Sequence, residues 1–327
     1  MSIKTNIEAL RDTMAEEMRR DPSIIITGED VGPRGGVFRA TEGLYAEFGP
    51  GRVIDSPLSE LSIVGVGIGM ALNGIRPICE IQFADFIFPA FNQIVSEAAK
   101  MRYRSNGQFT VPMVIRAPYG GGISGALYHS QSVEAFFAHV PGLYVVAPST
   151  PYDTAGLLRT ALRSPDPVLF LEHKKLYRSI KGEVPDEPFS IPIGKAHVAR
   201  PGDDLTIISY GLMLHESLKA AAALAGEGIS AEVIDLRTLA PLDKETILAS
   251  VRKTGKVLIV YEDNLTGGLG AEVATIIAEQ AFEYLDGPIM RVAGPDVPAM
   301  PFSHPMQDFF LPNADKIAAA ARTLAAY

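Results

Sequence analysis

The chain has 327 residues, 47% of them hydrophobic and 20% charged, and a formal net charge of −9. These proportions suit two α/β domains of roughly 100 to 200 residues each; no apolar run reaches the roughly 18 residues that cross a bilayer, so no membrane partner is expected. The acidic balance argues against a nucleic-acid partner, which is held by clustered Lys and Arg, and the single cysteine, Cys79, excludes an intrachain disulfide and suits a reducing compartment.

From the N-terminus, Ile3, Ile7, Leu10, Met14 and Met18 fall at helical spacing and predict one amphipathic helix over residues 2–18. Acidic residues scattered through it oppose a targeting segment, so a cytoplasmic, prokaryotic-like location is expected. The pattern then predicts strands over residues 23–27, 52–54, 78–82, 112–116, 143–147 and 167–171, and helices over 60–73, 88–103 and 152–163. The strands are apolar throughout rather than alternating, as a parallel sheet covered on both faces requires. Pro185, Pro188, Pro192 and Pro201 suit neither helix nor sheet interior. They place a linker at residues 186–201 between a first domain, 1–185, and a smaller α/β domain, 202–327. In the latter, predicted strands at 205–209, 230–234 and 257–261 recur at the interval of a doubly wound fold.

Among the motifs, the glycine-rich stretch Ala117 to Gln131 follows an apolar strand, the position where α/β sheets gather ligands. It carries His129, whose side chain type shuttles protons near neutral pH; the alternative is a mobile surface loop with a structural histidine. His139, His173, His197, His215 and His304 have no comparable setting in the sequence. Gly65, Gly67 and Gly69 resemble half of a dinucleotide fingerprint but sit inside a helical segment, where they more plausibly permit close packing. Gly267, Gly268 and Gly270 follow a strand but lack the full pattern. Glu29 ends a strand and Glu60 starts a helix; read alone, Glu60 is a carboxylate favoured by the helix N-terminus. These residues describe a two-domain α/β enzyme without naming its reaction.

Seven strings in order are more specific: Thr27-Gly-Glu-Asp-Val31, Asp55-Ser-Pro-Leu-Ser-Glu60, Glu80-Ile-Gln-Phe-Ala-Asp-Phe-Ile-Phe-Pro-Ala-Phe91, Arg102-Tyr-Arg-Ser105, Leu127-Tyr-His-Ser-Gln-Ser132, Asp153 with Gly156-Leu-Leu158, and Ile234-Asp-Leu-Arg-Thr238. Together they resemble β subunits of the thiamine diphosphate-dependent 2-oxoacid dehydrogenase decarboxylases. The resemblance implies a transketolase-like fold, in which a parallel-sheet pyrimidine-binding domain precedes the smaller α/β domain. It also implies a heterotetramer of two α and two β chains, with magnesium and the diphosphate held by the α subunit, and a lipoyl-bearing acyltransferase as a further partner. By position, Glu60 would hydrogen-bond the pyrimidine nitrogen and promote the imino tautomer that deprotonates the thiazolium carbon. Leu58, Ser59 and Gln82 would line the same site, Glu29 would support it, and Phe86 would stack on the pyrimidine where many members have tyrosine. His129 would serve acyl transfer to lipoyl, with Phe86, Ile87, Phe88 and Pro89 beside it in the substrate pocket. A potassium ion, found in some relatives, would lie near Ala161, Ser164 and Asp166. The wording around Phe83–Phe91 and Gly125–His139 looks most like branched-chain members; pyruvate and acetoin dehydrogenases, and a non-catalytic assembly subunit, are the alternatives.

Overall fold

The computed structural model describes all 327 residues. Its first sheet has seven strands in the spatial order Thr238–Ala240, Tyr144–Val146, Val168–His173, Val114–Tyr119, Arg76–Glu80, Ile24–Gly28, Val53–Asp55. All neighbours are parallel except Thr238–Ala240, which is contributed from beyond the expected linker and runs antiparallel to Tyr144–Val146. Fully buried runs such as Val114–Tyr119 and Val168–His173 explain why these strands show no alternation in sequence. Gly28 pairs with both Asp55 and Glu80, so three adjacent strands end level with one another. The chain leaves Ile24–Gly28 toward Val53–Asp55 on one side and continues from Arg76–Glu80 toward Val114–Tyr119 on the other. That reversal opens a crevice at the carboxyl ends of the strands, where open α/β sheets bind ligands.

The second sheet orders Met290–Gly294, Val257–Asn264, Leu205–Ser209, Ala231–Asp235 and His197–Arg200, with only the last strand antiparallel. The segment expected to be linker therefore contributes His197–Arg200 as a sheet edge, a place where its neighbouring prolines do no harm. One continuous apolar cluster runs from Ile63 and Ile115 in the first domain through Tyr119 to Ile208, Tyr210 and Tyr261 in the second. The two sheets thus share a core.

Two expected helices are divided. Residues Ser2–Thr5 form a strand paired antiparallel with Lys181–Val184, and the helix begins at Asn6, where Thr5 caps it reciprocally with Glu8. The Thr5-x-x-Glu8 signature was present in the sequence; Ile3, 64% exposed, only mimics the apolar stripe. The expected helix over 88–103, preceded by a 3₁₀ turn at Ala84–Phe86, is a series of short turns: 3₁₀ at Phe88–Ala90, π-helical at Gln93–Ala98 and helical at Met101–Arg104. Pro89 sits inside the Phe88–Ala90 turn, and π turns of this kind occur frequently at functional sites.

Of the three helical glycines, Gly67 alone is a close-packing site. A Cβ there would meet the Cys79 sulfur and lie 3.1 Å from Met113 Cε, whereas Gly69 faces open space. The close approach is to side chains of the sheet, not to neighbouring backbone.

Candidate active site

Glu60 is the first residue of helix Glu60–Leu72, and Ser59 is its N-cap, with Oγ accepting from Ser62 N at 3.4 Å. Ser59 is therefore engaged in starting the helix. The Glu60 carboxylate is half-buried and makes no hydrogen bond or ion pair within the chain. Glu29, which follows the neighbouring strand, is also half-buried; burial and then the charges of Asp30 and Glu60 hold its carboxyl above its ordinary range. Gln82, beyond the end of Arg76–Glu80, bridges to this corner by donating Nε2 to the Glu29 carbonyl at 3.3 Å. Leu58 lies 72% exposed on the same connection. Glu29, Glu60 and Gln82 thus follow three strands that end level, around the crevice.

The aromatic run sorts by depth. Phe86 and Phe83 both stand edge-on to His129, at ring-centroid distances of 5.6 and 4.5 Å. Ile87 is fully buried, so its side chain leaves the expected substrate pocket for the core. Phe88 turns outward against Phe136 at 5.5 Å, and Pro89 is exposed beside it. Of the expected pocket residues, Phe86 and His129 come together and the other three do not.

His129 follows the turn Ala126–Tyr128, is half-buried, and its ring nitrogens have no partner within the chain. Asp85 fixes this turn, with Oδ1 accepting from Ser130 N and Gln131 N, each at 3.1 Å, and Oδ2 buried without a partner. Neither Asp85 nor Lys174 stood out in the sequence. Lys174, buried at the end of strand Val168–His173, donates to the Pro118 carbonyl at 3.3 Å and lies 5.7 Å from the Phe83 ring centre. Burial brings its pKa down to about 8, against the opposing pull of Asp85 and Glu262. The signal, a pair of lysines directly after a buried apolar strand, was available.

Beneath the crevice Arg116, fully buried, spans Glu80 at 2.5 Å and Glu172 at 2.6 and 2.7 Å, while the Tyr177 hydroxyl donates to Glu172 at 2.5 Å. Burial holds the Glu80 carboxyl above its ordinary range despite Arg116, with Glu172 adding to the effect. Gly36 lies over this carboxylate, and Tyr177 packs through Phe38 onto Phe83, so the network forms the floor of the site. A cleft of about 950 Å³, lined by Tyr103, His139, Tyr144 and Pro241, opens where strands begin, away from this chemistry.

The turn expected to hold potassium already meets a cation. Arg76 Nη1 donates to the carbonyls of Leu162 and Ser164 at 3.1 and 3.0 Å, Ala161 O accepts from Ser164 N at 3.1 Å, and Asp166 O accepts from Ser164 Oγ at 3.0 Å. The guanidinium thus takes one acceptor position on the Leu162 and Ser164 carbonyls of this turn. No group of three or more His, Cys, Asp or Glu side chains converges as a metal site.

Residues 4–180 match the family described as "Transketolase, pyrimidine binding domain", and residues 194–317 match "Transketolase, C-terminal domain". Over 327 residues, covering 100% of both chains, the sequence is 59% identical to the 2-oxoisovalerate dehydrogenase subunit beta of Bacillus subtilis (strain 168). The chain belongs to the thiamine-dependent 2-oxoacid dehydrogenase β-subunit family. It is also 49% identical to the pyruvate dehydrogenase E1 component subunit beta of the same bacterium, over 98% of each chain. A solved structure described as a split gene transketolase, an inactive beta4 tetramer, superposes with a TM-score of 0.81 at 25% identity, covering 98% of each chain. As a 2-oxoacid dehydrogenase β subunit, the chain places its two unpaired carboxylates and its histidine on a transketolase-type pyrimidine-binding domain. No helix is long and apolar enough to cross a membrane.

Proposed function

We propose that this chain is the β half of a branched-chain 2-oxoacid dehydrogenase decarboxylase, working with an α chain as two α and two β subunits and passing its acyl product to a lipoyl-bearing acyltransferase. The observation that carries this reading is the crevice at the ends of three level strands, where the unpaired Glu60 acts on Glu29 and where the segment after Gln82 brings Phe86 edge-on to His129. These residues fit the pyrimidine half of thiamine diphosphate, with a free carboxylate for a ring nitrogen, an aromatic face and an amide. When bound, the cofactor supplies a nucleophilic carbon and an electron sink for decarboxylation of the 2-oxoacid.

The chain's own side chains do the rest. Glu60 holds a proton at the pyrimidine nitrogen, and Glu29 keeps the corner acidic beside it. Phe86 and Leu58 exclude water from the ring. His129, with both nitrogens free and its turn fixed by Asp85, holds or gives a proton at the acyl oxygen and at lipoyl sulfur during transfer. The magnesium and the diphosphate belong to the α chain in this reading.

The greater identity to the 2-oxoisovalerate relative, 59% against 49% for the pyruvate one, favours a branched substrate. Co-expression with an α chain and assay of decarboxylation with an artificial electron acceptor tests the whole reading. Expected is a kcat/KM for 2-oxoisovalerate above that for pyruvate by about 10-fold or more, the worth of added methyl groups in an apolar pocket. Preference for pyruvate overturns the substrate, and no decarboxylation of any 2-oxoacid by an assembled, folded pair overturns the function.

A further inference from the structure

The loop that carries His129 is anchored by two carboxylates, and only one of them comes from its own domain. Its neck is closed by Gly120 N donating to Gln131 O at 3.0 Å, and its exit is held by Asp85. At its start, Gly121 N donates to Oε1 of Glu262, a buried residue on strand Val257–Asn264 of the second sheet. Within the loop Ser124 and Ala126 stand at φ of 56° and 52°, a backbone that side-chain-bearing residues keep only where their surroundings impose it.

Glu262 is itself aimed. Its Oε2 lies 2.8 Å from Nε2 of His173, which ends strand Val168–His173 and packs edge-on to Tyr119 at 5.0 Å. Burial opposes the charge of Glu262, but His173, the Gly121 N–H and Lys174 outweigh it and hold the carboxyl below its ordinary range. Space allows little play. A Cβ on Gly120 would strike the His173 ring and one on Gly121 the Met300 sulfur. Midway along the loop, a Cβ on Gly125 would lie 2.6 Å from the carbonyl oxygen of His129 and 2.8 Å from its Cβ. Displacement at Gly121 is therefore passed through a short, crowded loop to His129.

We propose that Glu262 is a positioning residue for His129, lent to the active-site loop by the second domain and oriented by His173. The role rests on the reading of His129 given above. Glu262 is buried away from solvent and reaches the loop through the Gly121 amide. It also makes the second domain part of the site, because the docked arrangement of the two sheets is what brings Glu262 to Gly121.

The test uses the assembled α and β chains with Glu262→Ala and Glu262→Gln, each alone and combined with His129→Ala. Two quantities are read: backbone hydrogen exchange of residues 120–131 by mass spectrometry, and single-turnover acyl transfer to a lipoyl domain. Glu262→Ala is expected to accelerate exchange in that segment and slow transfer by roughly 10- to 100-fold, the scale of a misplaced catalytic group. That loss is expected to vanish in the His129→Ala background, as coupling between the two residues requires. Glu262→Gln keeps an oxygen for Gly121 and is expected to stay within about 5-fold of the parent, the scale of one weakened hydrogen bond. Unchanged exchange, or a Glu262→Ala loss that persists undiminished without His129, overturns the proposal. Normal transfer in His129→Ala alone overturns the reading of the site and the catalytic role with it, while the exchange data still judge the anchor. If Glu262→Ala does not fold, Gly121→Ala, which drives the same amide off the carboxylate against Met300, is read by the same two measurements.

Discussion

Arg116→Met removes the one cation from a fully buried group and leaves Glu80 and Glu172 facing each other beneath the active site. Removing one partner from a buried ion pair costs about 3 to 5 kcal/mol, because the remaining charge has neither solvent nor counterion. For a chain of 327 residues, with about 2.1 cal/mol/K of unfolding entropy per residue, that lowers Tm by roughly 4 to 7 °C. The pH dependence carries the diagnosis. Burial already holds Glu80 above the unfolded value near 4.3 against the pull of Arg116, and removing that cation raises it further. A group raised in this way contributes stability that is fully present below the unfolded pKa and is lost as pH rises toward the folded one. The gap in Tm between variant and parent is therefore expected to widen from pH 5 to pH 8 and to shrink toward pH 4.5. Thermal unfolding followed by calorimetry across that range checks it. A gap of constant size, or a loss below about 1 kcal/mol, refutes the view that this network is held by desolvated charge.

Gly67→Ala is expected to destabilise by about 1 to 3 kcal/mol through collision with Cys79 and Met113, whereas Gly69→Ala, entering open space, gains up to about 1 kcal/mol of helix propensity; urea denaturation separates the two. Glu134, buried and hydrogen-bonded to the Tyr210 hydroxyl at 2.7 Å, has its pKa raised from 4.5 to about 8 by burial first and then by Asp263. It costs the fold stability as pH rises through that window, so Glu134→Gln is expected to flatten the decline of Tm between pH 5 and 8, and an unchanged slope counts against it. The chain without its α partner is expected to bind thiamine diphosphate weakly or not at all, and tight magnesium-dependent binding in a calorimeter contradicts the division of the site between chains.

Much of this architecture was legible because it rests on local signals. Buried strands such as Leu205–Ser209 read directly as apolar runs, and the ordered strings around Glu60 and His129 pointed to the family. What the sequence concealed depends on three-dimensional meeting. Asp85 lies in the quoted aromatic string, but its use as the acceptor for Ser130 and Gln131 needs the turn to fold back 45 residues later. His173 had no distinctive neighbours in sequence, and its partner Glu262 is 89 residues away in the other domain. Helix periodicity also misled at residues 88–103, where the apolar spacing is real but Pro89 and the packing of the site break the run into short turns. The contact of Arg76 with the carbonyls of Leu162 and Ser164, 86 and 88 residues away, likewise has no local signal.

In the proposed function this chain supplies the activating carboxylate, Glu60, and the transfer histidine, His129, as separate functions of one site. Hydrogen–deuterium exchange at the thiazolium carbon, measured alongside single-turnover acylation of a lipoyl domain in assembled heterotetramers, tests it most directly. Glu60→Gln is expected to suppress exchange by about 100- to 10,000-fold, the scale of a positioned acid–base group, and every later step with it. His129→Ala is expected to leave exchange near the parent rate and to lose acyl transfer. Normal exchange in the Glu60 variant would return that residue to a helix-start carboxylate, and equal loss of exchange in both variants would contradict the division of roles.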